Sequence, residues 1–468
     1  MSESKIKVAA TSPSVGANVV SELRASYKKR KTRSLSWRLE QLQGLKRMLI
    51  DCQEDLIDAI VADLGKPRFE AFTTEVAFLL SEIDHTCKHL EKWMKPTRVR
   101  SSAVVQPATS KVYPEPLGVV LVIGAWNYPL GLSIGPAIGA IAAGNCVVIK
   151  PSEIAANTSS IIATLVPQYL DEGCVRVVEG GIPETTDLLE QKWNKIFYTG
   201  NGMVGRIVMA AAAKHLTPVT LELGGKSPVI IDEDVDIEVA ARRIIWGKFT
   251  NAGQTCVAPD YLLVHQSVHD QLLAALKSTI TEFYGGDAKT SSDYGRIINE
   301  RHHKRLTALL DSGTLAHGGD HDESQKYIEP TLLTDVSEDS KIMADEIFGP
   351  ILPLLKIGSI DEAIDFVNER DKPLALYVFT KNKAVAKKVI AHTSYGGGSI
   401  NHAWLHLAVP GLSFGGVGES GMGGYHGQHS FDVFSHHKSI LDKPTLIDPK
   451  LTYPPYDDFK TKVIKFLM

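Results

Sequence analysis

The chain has 468 residues, of which 44% are hydrophobic and 22% charged, and a formal net charge of −4. That length exceeds one ordinary core and calls for two or three domains of a water-soluble globular protein. The weak negative balance gives no footprint for nucleic acid or for a general attraction to anionic membrane, and five scattered cysteines without a C-x-x-C pair argue against a disulfide framework or zinc ribbon.

The start, Met1-Ser2-Glu3-Ser4-Lys5, lacks the apolar core of a secretory signal. The basic run Lys28-Lys29-Arg30-Lys31 with Arg33 reads as a solvated helix face. Residues 15–95 are expected to be helical. Ser34 and Ser36 stand as caps ahead of Leu39, Leu42, Leu45, Met48 and Leu49. Gly65-Lys66-Pro67 then breaks the pattern before a second amphipathic run through Val76, Phe78, Leu80 and Ile83. Leu117 to Ile149 holds no charge, yet Pro129, Pro136 and six glycines interrupt it. It reads as strand, loop, helix and strand, not as a lipid-facing span.

From residue 118 short apolar runs alternate with helical segments: 119–123, 147–149, 175–178, 196–198 and 219–221. Such runs at βαβ intervals mean a parallel sheet covered on both faces. A second α/β series follows, with strands near 262–264, 352–357 and 376–379 and helices at about 267–284 and 360–370. Gly415 to Gly424 reads as a flexible active-site loop, and the Pro- and aromatic-rich segment after Gly427 as a packing arm. His426, His429, His436 and His437 lie on an irregular stretch without thiols, so no metal site is expected there.

Cys256, in Asn251-Ala252-Gly253-Gln254-Thr255-Cys256, follows Glu222 by thirty-four residues. A thiol can attack an electrophilic carbon, and a carboxylate can deprotonate the water that later releases the product. Gly200-Asn201-Gly202-Met203-Val204-Gly205 spells G-x-G-x-x-G after a strand, a pattern that lets a helix N-terminus approach a pyrophosphate. Glu222 also fits the spacing of the fingerprint's ribose anchor, and that conflicts with a role as base. Lys150-Pro151-Ser152-Glu153, at another strand's carboxyl end, offers a second ribose site.

Together these pieces resemble the aldehyde dehydrogenase superfamily. The matching segments are Ala125-Trp126-Asn127-Tyr128-Pro129, Lys150-Pro151-Ser152-Glu153, Tyr198-Thr199-Gly200-Asn201, Leu221-Glu222-Leu223-Gly224-Gly225-Lys226, Gly253-Gln254-Thr255-Cys256, Glu346-Ile347-Phe348-Gly349-Pro350 and Phe414-Gly415-Gly416. Pro183-Glu184-Thr185-Thr186 and Tyr425-His426-Gly427 are similar to the class 3 and fatty-aldehyde branch. The resemblance implies an α/β fold with a Rossmann-type cofactor domain (1–98 and 119–222), an α/β catalytic domain (223–427) and a small β oligomerisation arm (99–118 and 428–468).

It further implies oxidation of medium- or long-chain aliphatic or aromatic aldehydes to acids. Cys256 becomes the nucleophile, Glu222 the base and Asn127 the oxyanion donor. Lys150 and Glu153 become the adenosine ribose contacts, Gly200 and Gly205 the pyrophosphate segment, and Glu346 with Phe348 the nicotinamide-ribose side. NAD is the implied cofactor, with NADP possible. A homodimer joined through the arm and a β-ribbon near Val104 to Val112 is expected, as is a cytoplasmic enzyme with no integral membrane anchor and no nucleic-acid partner. Trp246 stands as a candidate for the substrate funnel. The alternatives are transfer of the acyl group to coenzyme A, and an inactive binding protein on the same scaffold.

Overall fold

The computed structural model describes residues 14–467; the reading of Met1–Lys5 lies outside them. Five helices occupy the start, including Val15–Lys28, Leu35–Asp51, Gln53–Leu64 and Ala77–Trp93. Ser34 caps the second of these by accepting from Trp37 N–H at 3.2 Å. Ser36 is not a cap: it lies in the first turn and gives its hydroxyl to Ser34 Oγ at 3.2 Å. Gly65 ends the Gln53–Leu64 helix with φ +57°, a conformation glycine adopts without strain. The basic run is exposed, and Lys31 pairs with Asp171 at 2.8 Å.

A six-stranded sheet follows, in spatial order Gly421–Met422, Val219–Glu222, Lys195–Thr199, Val119–Ile123, Cys146–Lys150, Val175–Val177. Its five long-run strands are mutually parallel, and only Gly421–Met422 runs against them. Chain order reverses between Val119–Ile123 and Lys195–Thr199, which opens a crevice at their carboxyl ends. The charge-free stretch resolves into the Val119–Ile123 strand, the Pro129–Ala143 helix and the Cys146–Lys150 strand, nearly all buried. No helix among the described residues is long and apolar enough to cross a membrane.

The second sheet has seven strands, ordered Thr314–His317, Thr331–Thr334, Ile351–Ile357, Tyr261–His265, Pro228–Ile231, Ala375–Phe379, Gly397–Ile400. Four of these, Pro228–Ile231, Thr314–His317, Thr331–Thr334 and Gly397–Ile400, carry only four residues each. A period-2 signal does not rise above noise over that length. Only the Thr314–His317 edge is antiparallel.

Three further differences from the sequence expectation have clear causes. The ribbon runs over Thr109–Pro116, not Val104–Val112, because Ala103–Val105 is a 3₁₀ turn and Pro107 cannot donate to a ladder. It lies between Thr97–Val99 and Ser435–Asp442. Gly427–Val433 is a helix that buries Gly427, Ser430 and Phe431 against the Pro129–Ala143 helix, where Gly139 leaves room for Ser430, and the exposed strand of the arm runs from Ser435 to Asp442. Finally, Gly415–Gly424 is not a loose loop. Gly421 and Met422 pair with Glu222 and Leu221, and Leu223 N–H donates to Ser420 O at 3.2 Å.

Candidate functional site

The Cys256 loop follows the Ile237–Phe249 helix and precedes the Tyr261–His265 strand, and it is hydrogen-bonded to Asn127, after a strand of the first sheet, and to Tyr377 on a strand of the second. Asn251, Ala252 and Gly253 are all left-handed, at φ 57°, 51° and 74°. For the two non-glycines this costs about 1–3 kcal/mol each and persists only when the surroundings over-determine it. They do. Asn251 N–H donates to Glu70 Oε2 at 2.9 Å, and its side-chain amide to the carbonyls of Asn127 (2.8 Å) and Gln254 (3.1 Å). Buried Gln254 donates to Asn251 O and Arg296 O and accepts from Ile298 N–H. A Cβ on Gly253 would collide with Gly349 O.

Within this frame Cys256 is half-buried. Burial pushes its thiol up, aided by the Glu346 and Glu222 carboxyls, while the N–H groups of Cys256 and Val257 pull the other way. Asn127 reaches the loop from the turn after the Val119–Ile123 strand. It is 3% exposed, and one side-chain N–H donates to Gln254 O at 3.0 Å, leaving the second free for a ligand. The neighbouring Tyr128 hydroxyl bonds Thr255 Oγ1 at 2.7 Å.

Glu222 ends the Val219–Glu222 strand, 2% exposed, with neither carboxyl oxygen hydrogen-bonded to protein. Burial holds its carboxyl well above the usual range. A carboxyl kept neutral in an apolar site suits a proton-transferring role better than a ribose anchor at a wet crevice. The Gly421–Met422 clasp fixes this strand end. Gly421 sits at φ +142°, and a Cβ there would meet Leu221 O. Gly421→Ala is expected to cost about 1–3 kcal/mol of stability and slow product release. Wild-type melting and turnover in that variant would show the clasp to be dispensable.

Glu346 sits over the Gly224-Gly225 pair, where a Cβ on Gly224 would collide with its Oε2. Burial and Asp260 push its carboxyl up to about 8, against the Gly225 N–H and Lys226. Phe348 is half-buried at φ 48° and meets Trp126 edge-on at 5.3 Å, beside Asn127. Trp246 stacks on Trp404 at 4.5 Å.

Lys150 ends the Cys146–Lys150 strand, and Glu153 follows three residues later. Lys150 is 1% exposed, and its ammonium spends two of three N–H groups on Pro151 O (2.8 Å) and Glu153 (3.3 Å). The Glu153 side chain is 46% exposed and borders Gly181. An ammonium and a carboxylate side by side, each with spare capacity, fit the hydroxyls of a ribose. Asn201 caps the Gly202–Ala213 helix by accepting from Val204 N–H at 3.0 Å. Gly205 lets this helix close on Leu223, 2.9 Å from where a Cβ would stand, and Gly200 makes room for the Tyr198 ring. Both glycines therefore shape packing, and the helix's first turn offers N–H groups to a phosphate.

Among the described residues no cluster of three or more His, Cys, Asp and Glu side chains could hold a metal. His426 instead stacks on Phe414 at 5.4 Å, and His437 lies 3.3 Å from Asp432. Sequence reasoning missed Lys66, Glu70, Glu75 and Gln254, which frame the site. Of these, Glu75, an acid directly before the apolar run from Val76, and Gln254, inside Gly253-Gln254-Thr255-Cys256, carried a signal.

A model of the aldehyde dehydrogenase family matches residues 3–440. The dimeric NADP-preferring aldehyde dehydrogenase of Rattus norvegicus is 51% identical over 441 residues, 94% of this chain and 97% of that protein. Aldehyde dehydrogenase family 3 member A2 of Mus musculus is 50% identical over 451 residues, covering 96% and 93%. Among solved structures, substrate-bound AldH of Staphylococcus aureus superposes with a TM-score of 0.95 at 47% identity, covering 97% and 99%. An NAD⁺ complex of a Mycobacterium tuberculosis aldehyde dehydrogenase gives 0.84 at 28%, covering 94% and 92%.

Proposed function

The chain belongs to the aldehyde dehydrogenase family, and on that premise we propose how its residues divide the chemistry. The protein is an oxidoreductase acting on aldehydes with NAD or NADP. Cys256, as thiolate, forms a bond to the aldehyde carbon while the carbonyl electron pair moves onto oxygen. The free Asn127 side-chain N–H and the Cys256 backbone N–H receive that charge. Lys150, Glu153, the Gly200–Gly205 segment, Glu346 and Phe348 would hold the nicotinamide cofactor, which would supply the hydride acceptor for oxidation of the Cys256 adduct to a thioester. Glu222 then takes a proton from water. The resulting hydroxide attacks the thioester carbon, the C–S bond breaks, and the carboxylic acid departs.

The observation that carries this reading is the buried Glu222 carboxyl, without a protein partner on either oxygen, beside a half-buried thiol. A hydrolytic base needs that free valence, and transfer to coenzyme A does not. Asn127→Ala is expected to slow the first NADH burst roughly a hundredfold or more, the loss of about 3 kcal/mol of oxyanion stabilisation. A stopped-flow burst at the wild-type rate would remove Asn127 from this role.

Medium- and long-chain aliphatic or aromatic aldehydes are the proposed substrates. The Trp246–Trp404 stack, with His402 edge-on to Trp246 at 5.6 Å, gives an apolar aromatic surface on the helix leading to Cys256. A homodimer through the arm is supported by a relative described as dimeric. It is also supported by exposed apolar side chains beyond the ribbon, among them Leu446 at 94% and Phe466 at 89%. A cytoplasmic location is the accompanying proposal. Sedimentation of the purified chain tests the dimer, and fractionation of the producing cells tests the location.

A further inference from the structure

Lys66 lies between a helix-ending glycine and a proline, with a side chain wholly out of solvent. Its ammonium donates to Glu75 Oε1 at 2.8 Å and to the Asn127 carbonyl at 3.3 Å, and stands 4.1 Å from the centroid of the Tyr128 ring. Glu75, equally buried, belongs to a π-helical turn, Phe72–Val76, a local irregularity that often accompanies function. Its other oxygen accepts from Leu130 N–H at 2.9 Å and Gly131 N–H at 3.1 Å. One ion pair therefore grips residues 127–131 from both sides. It holds the carbonyl of Asn127, and it holds the first-turn N–H groups of the Pro129–Ala143 helix. The Asn251 amide, three residues before Gln254, shares the same Asn127 carbonyl.

A fully buried ion pair is a poor stability device, because well-packed apolar residues of similar volume usually do as well or better. Its use here is geometric. We propose that Lys66 and Glu75 are positioning residues for the oxyanion step, holding the Asn127 side chain where charge develops on the substrate oxygen. Neither touches substrate. A displacement of about 1 Å at such a donor costs on the order of a hundredfold in rate, so a clamp that prevents it acts on the chemical step and not on cofactor affinity. The inference rests on Asn127 being the oxyanion donor.

A double-mutant cycle tests it: Lys66→Met, Asn127→Ala and the pair, each read by the stopped-flow NADH burst, with NAD affinity and melting measured alongside. Lys66→Met is expected to slow the burst roughly 10- to 100-fold while NAD affinity is retained. It is expected to add little further slowing once the Asn127 side chain is gone. A wild-type burst in Lys66→Met, or equal slowing in both backgrounds, overturns the proposal. A normal burst in Asn127→Ala alone removes the oxyanion assignment and this inference with it. Should Lys66→Met fail to fold, Glu75→Gln takes its place in the cycle. It keeps an oxygen for Leu130 and Gly131 but drops the charge that holds Lys66.

Discussion

Cys256→Ala is expected to abolish NADH formation, burst and steady state alike, by about 10⁴-fold or more, because the bond-forming atom is gone. NAD affinity and melting should stay close to wild type, since the ribose-binding candidates Lys150 and Glu153 lie on a separate strand end. No other thiol can stand in. Cys146 and Cys174 are buried at the base of the first sheet, while Cys52, in the turn between two helices, meets Tyr169 and Cys87, on the Ala77–Trp93 helix, meets Gln43. NADH absorbance with NAD and a medium-chain aldehyde, without coenzyme A, is the assay. Steady production within tenfold of wild type would sink the nucleophile assignment.

Glu222→Gln should separate the two halves of the reaction. The amide preserves shape but cannot accept a proton from water, so one equivalent of NADH per site still forms and turnover then stalls, by about 10²- to 10⁴-fold. The pH dependence follows from burial. The Glu222 carboxyl is held neutral well above the usual carboxylate range, and only its ionised form is a base. Hydrolysis-limited kcat in the wild type should therefore rise with pH through the folded-state value and be lost as pH falls below it. That limb should vanish in Glu222→Gln. A variant that turns over steadily with an unchanged profile would assign the base elsewhere. Coenzyme A accelerating the wild type would favour acyl transfer over hydrolysis.

Particular residues mark what each level of structure contributes. The apolar runs at 119–123, 147–149 and 196–198 were legible because a parallel strand buried on both faces tolerates no polar interruption. The four-residue strand Pro228–Ile231, opened by a proline, was not. Ser36 failed as a cap because Ser34, two residues earlier, already occupies the N-cap. Gly415–Gly424 reads as flexible only when glycine is taken for freedom; here the missing Cβ atoms allow backbone to approach backbone.

By itself the sequence determined the chemistry's parts list. A thiol, a carboxylate and an amide recur in segments whose local character (Gly-Gln-Thr-Cys, Leu-Glu-Leu-Gly-Gly, Trp-Asn-Tyr-Pro) survives without knowledge of neighbours. The conflict over Glu222, ribose anchor or base, stayed open in the sequence, since a ribose anchor wants a carboxylate about twenty residues past the glycines and a base wants one that can reach the thiol. Tertiary structure places that carboxyl in an unpartnered, water-poor site and leaves Glu153 half-exposed beside Lys150. Only the folded chain, too, joins Lys66 and Glu75 to Asn127, sixty-one and fifty-two residues away. Burial and desolvation depend on what packs around a group, and no local pattern encodes that.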